Sequence, residues 1–254
     1  MKLLEGRTAV ISGAAGGMGQ VACRQFCGDG ARVIGVDIAE DRGHELEREL
    51  LADGLDFEFF RANVGVATDV AALATRVKDR FGGLDILYNN AGVVLGKPVL
   101  ETTEEEWDLV HNSTLKSTFL MTRGLAPLMK GRKGSIINVS STGGLVGFEF
   151  MSAYCAAKGG VLLFTKACAI DLAPEIRVNA ICPGVIDTPM PRAFVSGLSE
   201  QEAQEVWANF ENGHLLRRVG RPEEVVSMAR YLASDAASFV TGAALPVDGG
   251  WTAK

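Results

Sequence analysis

Apolar positions along the chain fall into two alternating patterns. Short runs such as AVIS, VIGVD, DILY and SIINVS are almost continuously apolar. Strands covered on both faces read this way, as in a parallel sheet held between layers of helices. Strands are predicted at 8–12, 32–37, 56–61, 84–89, 135–140, 177–182 and 243–247. Between them, helical periodicity predicts helices near 17–29, 41–52, 67–80, 103–130, 152–173 and 222–233. Strand and helix alternating this often predict an α/β fold, a doubly wound parallel sheet with helices on both faces. Thr103 followed by Glu106 has capping-box spacing, Pro222 with Glu223 and Glu224 suits a first helical turn, and Gly82-Gly83 ends a helix. The stretch 188–218 interrupts the rhythm with Pro189 and Pro191, and reads either as a substrate lid or as an extra surface helix. No linker or repeat divides the chain, so residues 1–254 read as a single domain.

Composition narrows the function classes. The 254 residues are enough for one sizeable α/β core, and 47% hydrophobic with 22% charged residues argues against disorder. A formal charge of −6 leaves no basic footprint for nucleic acid, and no lysine- or arginine-rich run marks a membrane surface. The apolar runs, such as 159–164, are too short to span a bilayer, and MKLLEGRTAV lacks a signal-type apolar stretch. Cys23, Cys27, Cys155, Cys168 and Cys182 are odd in number and form no CxxC pair, which fits buried thiols in a reducing cytoplasm. His44, His111 and His214 have no metal-ligand spacing, so no metal is expected.

The first strand–helix unit, TAVISGAAGGMGQVA, carries Gly13, Gly17 and Gly19 in a G-xxx-G-x-G spacing. Without a Cβ the chain turns tightly, and backbone N–H groups at a helix N-terminus can approach a pyrophosphate. Plain turn chemistry would use the same glycines; their place in the first strand–helix unit favours phosphate binding. The second strand ends at Asp37, eighteen residues after Gly19. An acidic side chain there accepts hydrogen bonds from adenosine ribose hydroxyls and repels a 2′-phosphate. Ile38, Ala14 and Ala15 are uncharged and offer that phosphate no cation. NAD is therefore expected over NADP, the alternative role for Asp37 being a cap for the helix at 41–52.

Tyr154 and Lys158 stand four apart on a predicted helix and share one face. A tyrosine titrates near ~10, and an ammonium about 5 Å away at an effective dielectric near ~20 favours the phenolate by roughly 3 kcal/mol. That pairing predicts a phenol acidified towards neutrality, useful as an acid/base. Ser141 lies thirteen residues before Tyr154, where the fifth strand reaches its C-terminal end. Doubly wound sheets bind ligands at that edge, so its hydroxyl can hold a substrate oxygen beside the phenol.

Together these residues resemble the classical short-chain dehydrogenases/reductases over essentially the whole chain. The matching segments are SGAAGGMG at 12–19, NNAG at 89–92, NVSS at 138–141, YCAAK at 154–158, CPGVIDTPM at 182–190 and VDGG at 247–250. The resemblance implies a single NAD-binding domain of Rossmann type with Ser141, Tyr154 and Lys158 as catalytic residues. It implies that Gly13, Gly17, Met18, Gly19, Asp37, Ile38, Asn63, Val64, Asn90, Ala91, Gly92, Tyr154 and Lys158 contact the cofactor. Asn89 to Gly92 would wall the cofactor site, Pro183 and Gly184 would pass beside the nicotinamide, and Thr188 and Ile186 would hold its carboxamide. A homotetramer is implied too, with the helices at 103–130 and 152–173 pairing between subunits. Two positions depart from the family. Thr114 stands where an asparagine normally supports a water chain from the lysine, with Asn112 about 200° away around an ideal helix. Asn63-Val64 replaces Asp-Val beside the adenine, and the amide of Asn63 keeps both a donor and an acceptor.

The resemblance places Ser141, Gly143, Leu145, Val146, Phe148, Met151, Tyr154, Val185, Met190, Phe194 and Trp207 around the substrate. This mostly apolar lining has no arginine for a carboxylate or phosphate, so an uncharged secondary alcohol or ketone, cyclic or aromatic, is expected as the small-molecule partner. Two other readings stay open. One is an NADPH-dependent 3-oxoacyl thioester reductase, opposed by Asp37 and by the negative charge. The other is a non-catalytic dinucleotide-binding sensor or scaffold, opposed by the intact Ser-Tyr-Lys set.

Overall fold

The computed structural model describes residues 2–253. Its strands are β1 (Thr8–Ser12), β2 (Arg32–Asp37), β3 (Phe57–Arg61), β4 (Ile86–Asn89), β5 (Gly134–Val139), β6 (Ile176–Pro183) and β7 (Ala244–Val247). They form one parallel sheet in the order β3-β2-β1-β4-β5-β6-β7. The order reverses between β1 and β4, and that switch point opens a crevice at the C-terminal edge. Every residue of β1, β4 and β5 is buried, as their unbroken apolar runs require.

Side chains still alternate between faces. Ala9 and Ile11 join one core cluster, with Phe26, Leu46, Leu50, Val225 and Leu232. Val10 joins the other, with Leu73, Val77, Met121 and Leu125. The helices supplying the first layer are α1 (Gly17–Gly28) and α2 (Glu40–Ala52), together with the later helix Pro222–Ala233. α3 (Ala67–Phe81) ends at Gly82, whose φ of +71° gives the left-handed turn that glycine adopts without cost.

The predicted helix over 103–130 is broken. α4 (Glu104–His111), started by the Thr103–Glu106 capping box, is separated from α5 (Ser117–Leu125) by a π-helical turn at Asn112–Lys116. Hydroxyls compete here for main-chain acceptors. Ser117 Oγ donates to the carbonyls of Ser113 (2.8 Å) and Thr114 (2.9 Å), and Thr118 Oγ1 donates to that of Thr114 (2.7 Å).

α6 (Ser152–Leu172) follows a short turn at Thr142–Gly144. By length and composition alone this helix is apolar enough to cross a membrane, which the short apolar runs did not anticipate. In the fold it flanks the sheet and buries Ala157, Lys158, Val161 and Cys168. The interrupting stretch forms two helices, α7 (Pro189–Ala193) and α8 (Glu200–Gly213), and α9 (Pro222–Ala233) is the last α-helix among the described residues.

Candidate active site

The glycine turn leaves β1 with Gly13 at φ +67°. A Cβ on Gly19 would collide with the Gly13 carbonyl, and one on Gly17 would lie 2.9 Å from Thr188 Cβ. The turn is tied to its neighbours. The N–H groups of Asn90 and Ala91 both donate to Ser12 Oγ at 3.1 Å, and Asn90 Nδ2 donates to the carbonyls of Ser12 (3.1 Å) and Gly13 (3.3 Å). α1 then begins with no side-chain cap and no acidic residue in its first turn. Its first N–H groups and the positive end of its dipole thus suit a pyrophosphate. Asn90 Oδ1 is buried without a protein partner. A cradle that a Cβ would fill, beside an unpartnered amide oxygen, fits a dinucleotide.

At the far end of the crevice, Asp37 accepts from Ala15 N–H through Oδ2 and from Ala39 N–H through Oδ1, both at 3.0 Å. The cap position of α2 belongs to Ala39, so Asp37 braces the glycine turn rather than capping that helix. Ile38 is exposed and Val64 buried. Asn63 uses its Oδ1 to accept from Gly65 N–H at 2.9 Å. Arg61 pairs in register with Asp37, and its Nε lies 3.3 Å from Glu40 Oε2.

Ser141 lies two residues beyond the end of β5, and its Oγ accepts from Gly143 N–H at 3.0 Å. Tyr154 lies in the first turn of α6 with Lys158 one turn on. Lys158 is 4% exposed. Its Nζ lies 5.7 Å from the centre of the Tyr154 ring and donates to the Val139 carbonyl at 2.8 Å. Burial is the largest influence on both groups. It raises the Tyr154 phenol above its usual range, against a lowering by the Ser141 hydroxyl. It lowers the Lys158 ammonium to about 8. The expected acidification of the phenol by Lys158 alone is therefore corrected: both charged forms lose solvation in the same enclosed pocket.

Thr114 sits in the π-helical turn, 1% exposed, its Oγ1 without a protein partner. A Cβ on Gly92 would lie 3.3 Å from that oxygen and 3.4 Å from Lys158 Nζ, so both atoms face the space above Gly92.

A cavity of about 290 Å³ joins these groups. Met18, Asn90, Gly92, Ser141, Tyr154, Lys158, Pro183, Gly184, Ile186 and Thr188 line it, as do the substrate candidates Phe148, Met151, Val185, Met190 and Phe194. Gly143, Leu145, Val146 and Trp207 fall outside the lining. Gly143 is turned in to serve Ser141, Leu145 and Val146 are 39% and 43% exposed, and Trp207 carries Arg192 over its ring at 5.3 Å. Val94, Thr142, Pro191, Phe210 and Trp251 line the cavity without having been anticipated. Phe210 is one turn beyond the proposed Trp207, on an exposed helix whose facing the apolar pattern does not settle. Trp251 had no signal beyond following VDGG.

A family model described as enoyl-(acyl carrier protein) reductase matches residues 13–252. Cyclopentanol dehydrogenase of Comamonas sp. (strain NCIMB 9872) is 40% identical over 250 residues, 98% of each chain. The chain belongs to the short-chain dehydrogenases/reductases. Members of that family are oxidoreductases with a nicotinamide dinucleotide as cofactor. 3-Oxoacyl-[acyl-carrier-protein] reductase of Thermotoga maritima is 38% identical over 251 residues, 97% of this chain and 98% of that one. The solved structure of Thermoplasma acidophilum aldohexose dehydrogenase superposes with a TM-score of 0.91 at 28% identity, covering 100% of this chain and 96% of the other.

Proposed function

We propose that the protein interconverts an uncharged secondary alcohol and its ketone, with NAD as the hydride carrier. The observation that carries this reading is the meeting of Ser141, Tyr154 and Lys158 in one largely apolar cavity, at the open edge of the sheet beside the glycine cradle. Bound there, the nicotinamide ring supplies the acceptor or donor of hydride. The chain's own groups handle the oxygen and the proton. Ser141 Oγ holds the substrate oxygen. The Tyr154 phenolate takes the proton from an alcohol, and in the reverse direction the phenol gives it to the oxygen of a ketone as hydride reaches the carbon. The Lys158 ammonium, fixed by the Val139 carbonyl, stabilises the phenolate, and Thr114 Oγ1 continues the proton path from it.

Gly13, Gly17, Met18, Gly19, Asn90, Ala91 and Gly92 would hold the pyrophosphate and ribose region, Asp37, Ile38, Asn63 and Val64 the adenosine, and Pro183, Gly184, Ile186 and Thr188 the carboxamide. Apart from Lys158 the cavity lining bears no charge, which supports an uncharged substrate. Met190, Pro191, Phe194 and Phe210 of residues 188–218 wall the cavity, which supports a lid role for that stretch. Leu163 and Ile170 on the outer face of α6, 70% and 80% exposed, support its pairing between subunits of a homotetramer. All five cysteines are free thiols, which supports a reducing, cytoplasmic setting.

The similarity to 3-oxoacyl-[acyl-carrier-protein] reductase favours a second reading, an NADPH-dependent thioester reductase. Asp37 and the formal charge of −6 oppose it, since a 2′-phosphate and an acidic carrier are both anions. A panel of secondary alcohols, ketones and 3-oxoacyl thioesters, assayed with each nicotinamide cofactor in wild type and in Tyr154→Phe, separates the readings. Alcohol oxidation with NAD is expected, falling by about 10²–10⁴-fold in Tyr154→Phe while NAD binding persists. Turnover confined to 3-oxoacyl thioesters with NADPH would reject the favoured reading.

A further inference from the structure

Beyond β7 the chain folds back as a tight hook. Asp248 Oδ1 accepts from Gly250 N–H at 3.0 Å, and Asp248 Oδ2 accepts from Thr252 N–H at 2.9 Å and from Thr252 Oγ1 at 2.6 Å. Trp251 N–H donates to the Asp248 carbonyl at 3.0 Å. The hook carries the Trp251 indole to the wall of the cavity that holds Ser141 and Tyr154. There it meets Phe148 edge to face, with ring centres 5.9 Å apart and planes at 76°.

The indole is wedged from behind. It stands 4.7 Å from the His214 ring at 70°, and a Cβ on Gly213, the last residue of α8, would collide with it. His214 is itself fixed at both nitrogens. Nδ1–H donates to the Phe210 carbonyl at 2.6 Å, and Nε2 accepts from Val185 N–H at 3.2 Å. Only the neutral ring protonated at Nδ1 satisfies both partners. One buried histidine therefore ties α8, the Gly184–Val185 segment and the terminal hook into a single wall. Because the hook and α8 interlock, the indole cannot swing aside without displacing the end of α8.

We infer that Trp251 sets the size and shape of the alcohol: with Phe148 it makes a right-angled aromatic corner against which the ring carbons of a small cyclic secondary alcohol pack while Ser141 and Tyr154 take its oxygen. This rests on the alcohol–ketone reading and adds the residue that selects within that class. A flat face and a ring edge at right angles complement a compact alicyclic ring better than a long chain, and a longer aryl group would run into the indole.

The test compares cyclopentanol with 4-phenyl-2-butanol in wild type, Trp251→Phe and Trp251→Ala, with NAD binding followed by calorimetry. Trp251→Ala is expected to lose about tenfold in kcat/KM for cyclopentanol, mostly through KM, and to shift the ratio of the two alcohols towards the larger one by at least that factor. Trp251→Phe is expected to fall between, with the NAD Kd unchanged in both. An alcohol ratio that stays fixed across the three proteins would overturn the inference. Wild type that oxidises no secondary alcohol would instead overturn the reaction reading. The pocket is then read by fluorescence in Trp107→Phe/Trp207→Phe, where Trp251 is the sole remaining tryptophan of three. Cyclopentanone added with NAD is expected to change its emission, and emission unaffected by the ketone would overturn the role of Trp251.

Discussion

Lys158 Nζ donates to the carbonyl oxygen of Val139, the last residue of β5, at 2.8 Å. The strand that delivers Ser141 thus also anchors the ammonium one turn below Tyr154. Burial lowers that ammonium from its usual range to about 8. Below pH 8 the folded protein carries a buried charge at a cost in stability. Between about 8 and 10.5 the folded lysine is neutral while the unfolded one is still protonated, so the cost is relieved as pH rises through that window. Lys158→Met removes the charge and is expected to abolish most activity, by about 10²-fold or more. Thermal denaturation at pH 7 is expected to show the variant as stable as wild type or more so, with any advantage shrinking as pH rises above 8. A variant that melts lower at pH 7 and loses no further ground above pH 8 would mean that the Val139 bond, not the burial, dominates.

Two charges bear on the proposed choice of NAD over NADP. Asp37, proposed to hold the adenosine ribose, has Arg61 as its register partner, and Arg61 is engaged by Glu40 at 3.3 Å. Asp37→Asn keeps an acceptor for one of the two N–H groups from Ala15 and Ala39 while losing the charge. The NAD-to-NADP ratio of kcat/KM is expected to fall about tenfold in Asp37→Asn. Adding Glu40→Gln releases Arg61 towards a 2′-phosphate and is expected to lower the ratio further. Steady-state kinetics with both cofactors checks this, and an unchanged ratio in the double variant would remove Arg61 from the account.

Stability has its own buried charge. Asp85, just before β4, accepts from Thr8 N–H and Thr8 Oγ1 at 2.8 Å through Oδ2, and from Arg132 Nε at 3.1 Å through Oδ1. Burial by itself would raise this carboxyl. Arg132 and the two Thr8 donors overcome that, and the net direction is downward. Its contribution is therefore full above the unfolded value near ~3.9 and is lost as pH falls through the lower folded value. Asp85→Asn is expected to cost about 2 kcal/mol in urea denaturation at pH 7. The gap from wild type should close as acid protonates Asp85; a gap constant down to acid unfolding would assign the loss to packing instead.

Local signals read well where one short-range effect decides. The continuous apolar runs placed β1 and β2 to the residue, and Gly82 and Thr103 marked helix ends through chemistry that needs only adjacent backbone. The convergence of Ser141, Tyr154 and Lys158 on one cavity was legible because one strand end and one helical turn determine it. The rest depends on distant contacts. The π-helical turn at Asn112–Lys116 is hidden because Ser and Thr hydroxyls fit the helical pattern until they take main-chain acceptors. Trp251 reaches the cavity only because Asp248 folds the terminus back and Gly213 leaves room for it. The phenol's direction differs from the expectation because a pairwise charge argument leaves out the enclosure of Tyr154 and Lys158, and burial is the larger effect on both.

Thr114 is where the turn and the chemistry meet. Its carbonyl is taken by the hydroxyls of Ser117 and Thr118, at 2.9 and 2.7 Å, so only the side chain remains to face Lys158 across Gly92. A buried hydroxyl without a protein partner costs roughly 1–3 kcal/mol, and a role in moving the proton is one reason to keep it. Thr114→Val has the same shape without the hydroxyl, so its melting temperature is expected to equal or exceed that of wild type. If the hydroxyl relays the Lys158 proton, kcat should fall several-fold in Thr114→Val, with KM for NAD unchanged and the loss greatest where proton transfer limits turnover. Thr114→Asn extends the reach towards Nζ and should restore or raise kcat, but its extra bulk meets the Gly92 backbone, so stability must be measured beside rate. A Thr114→Val protein with wild-type kcat across the pH range would show that the proton leaves by another way.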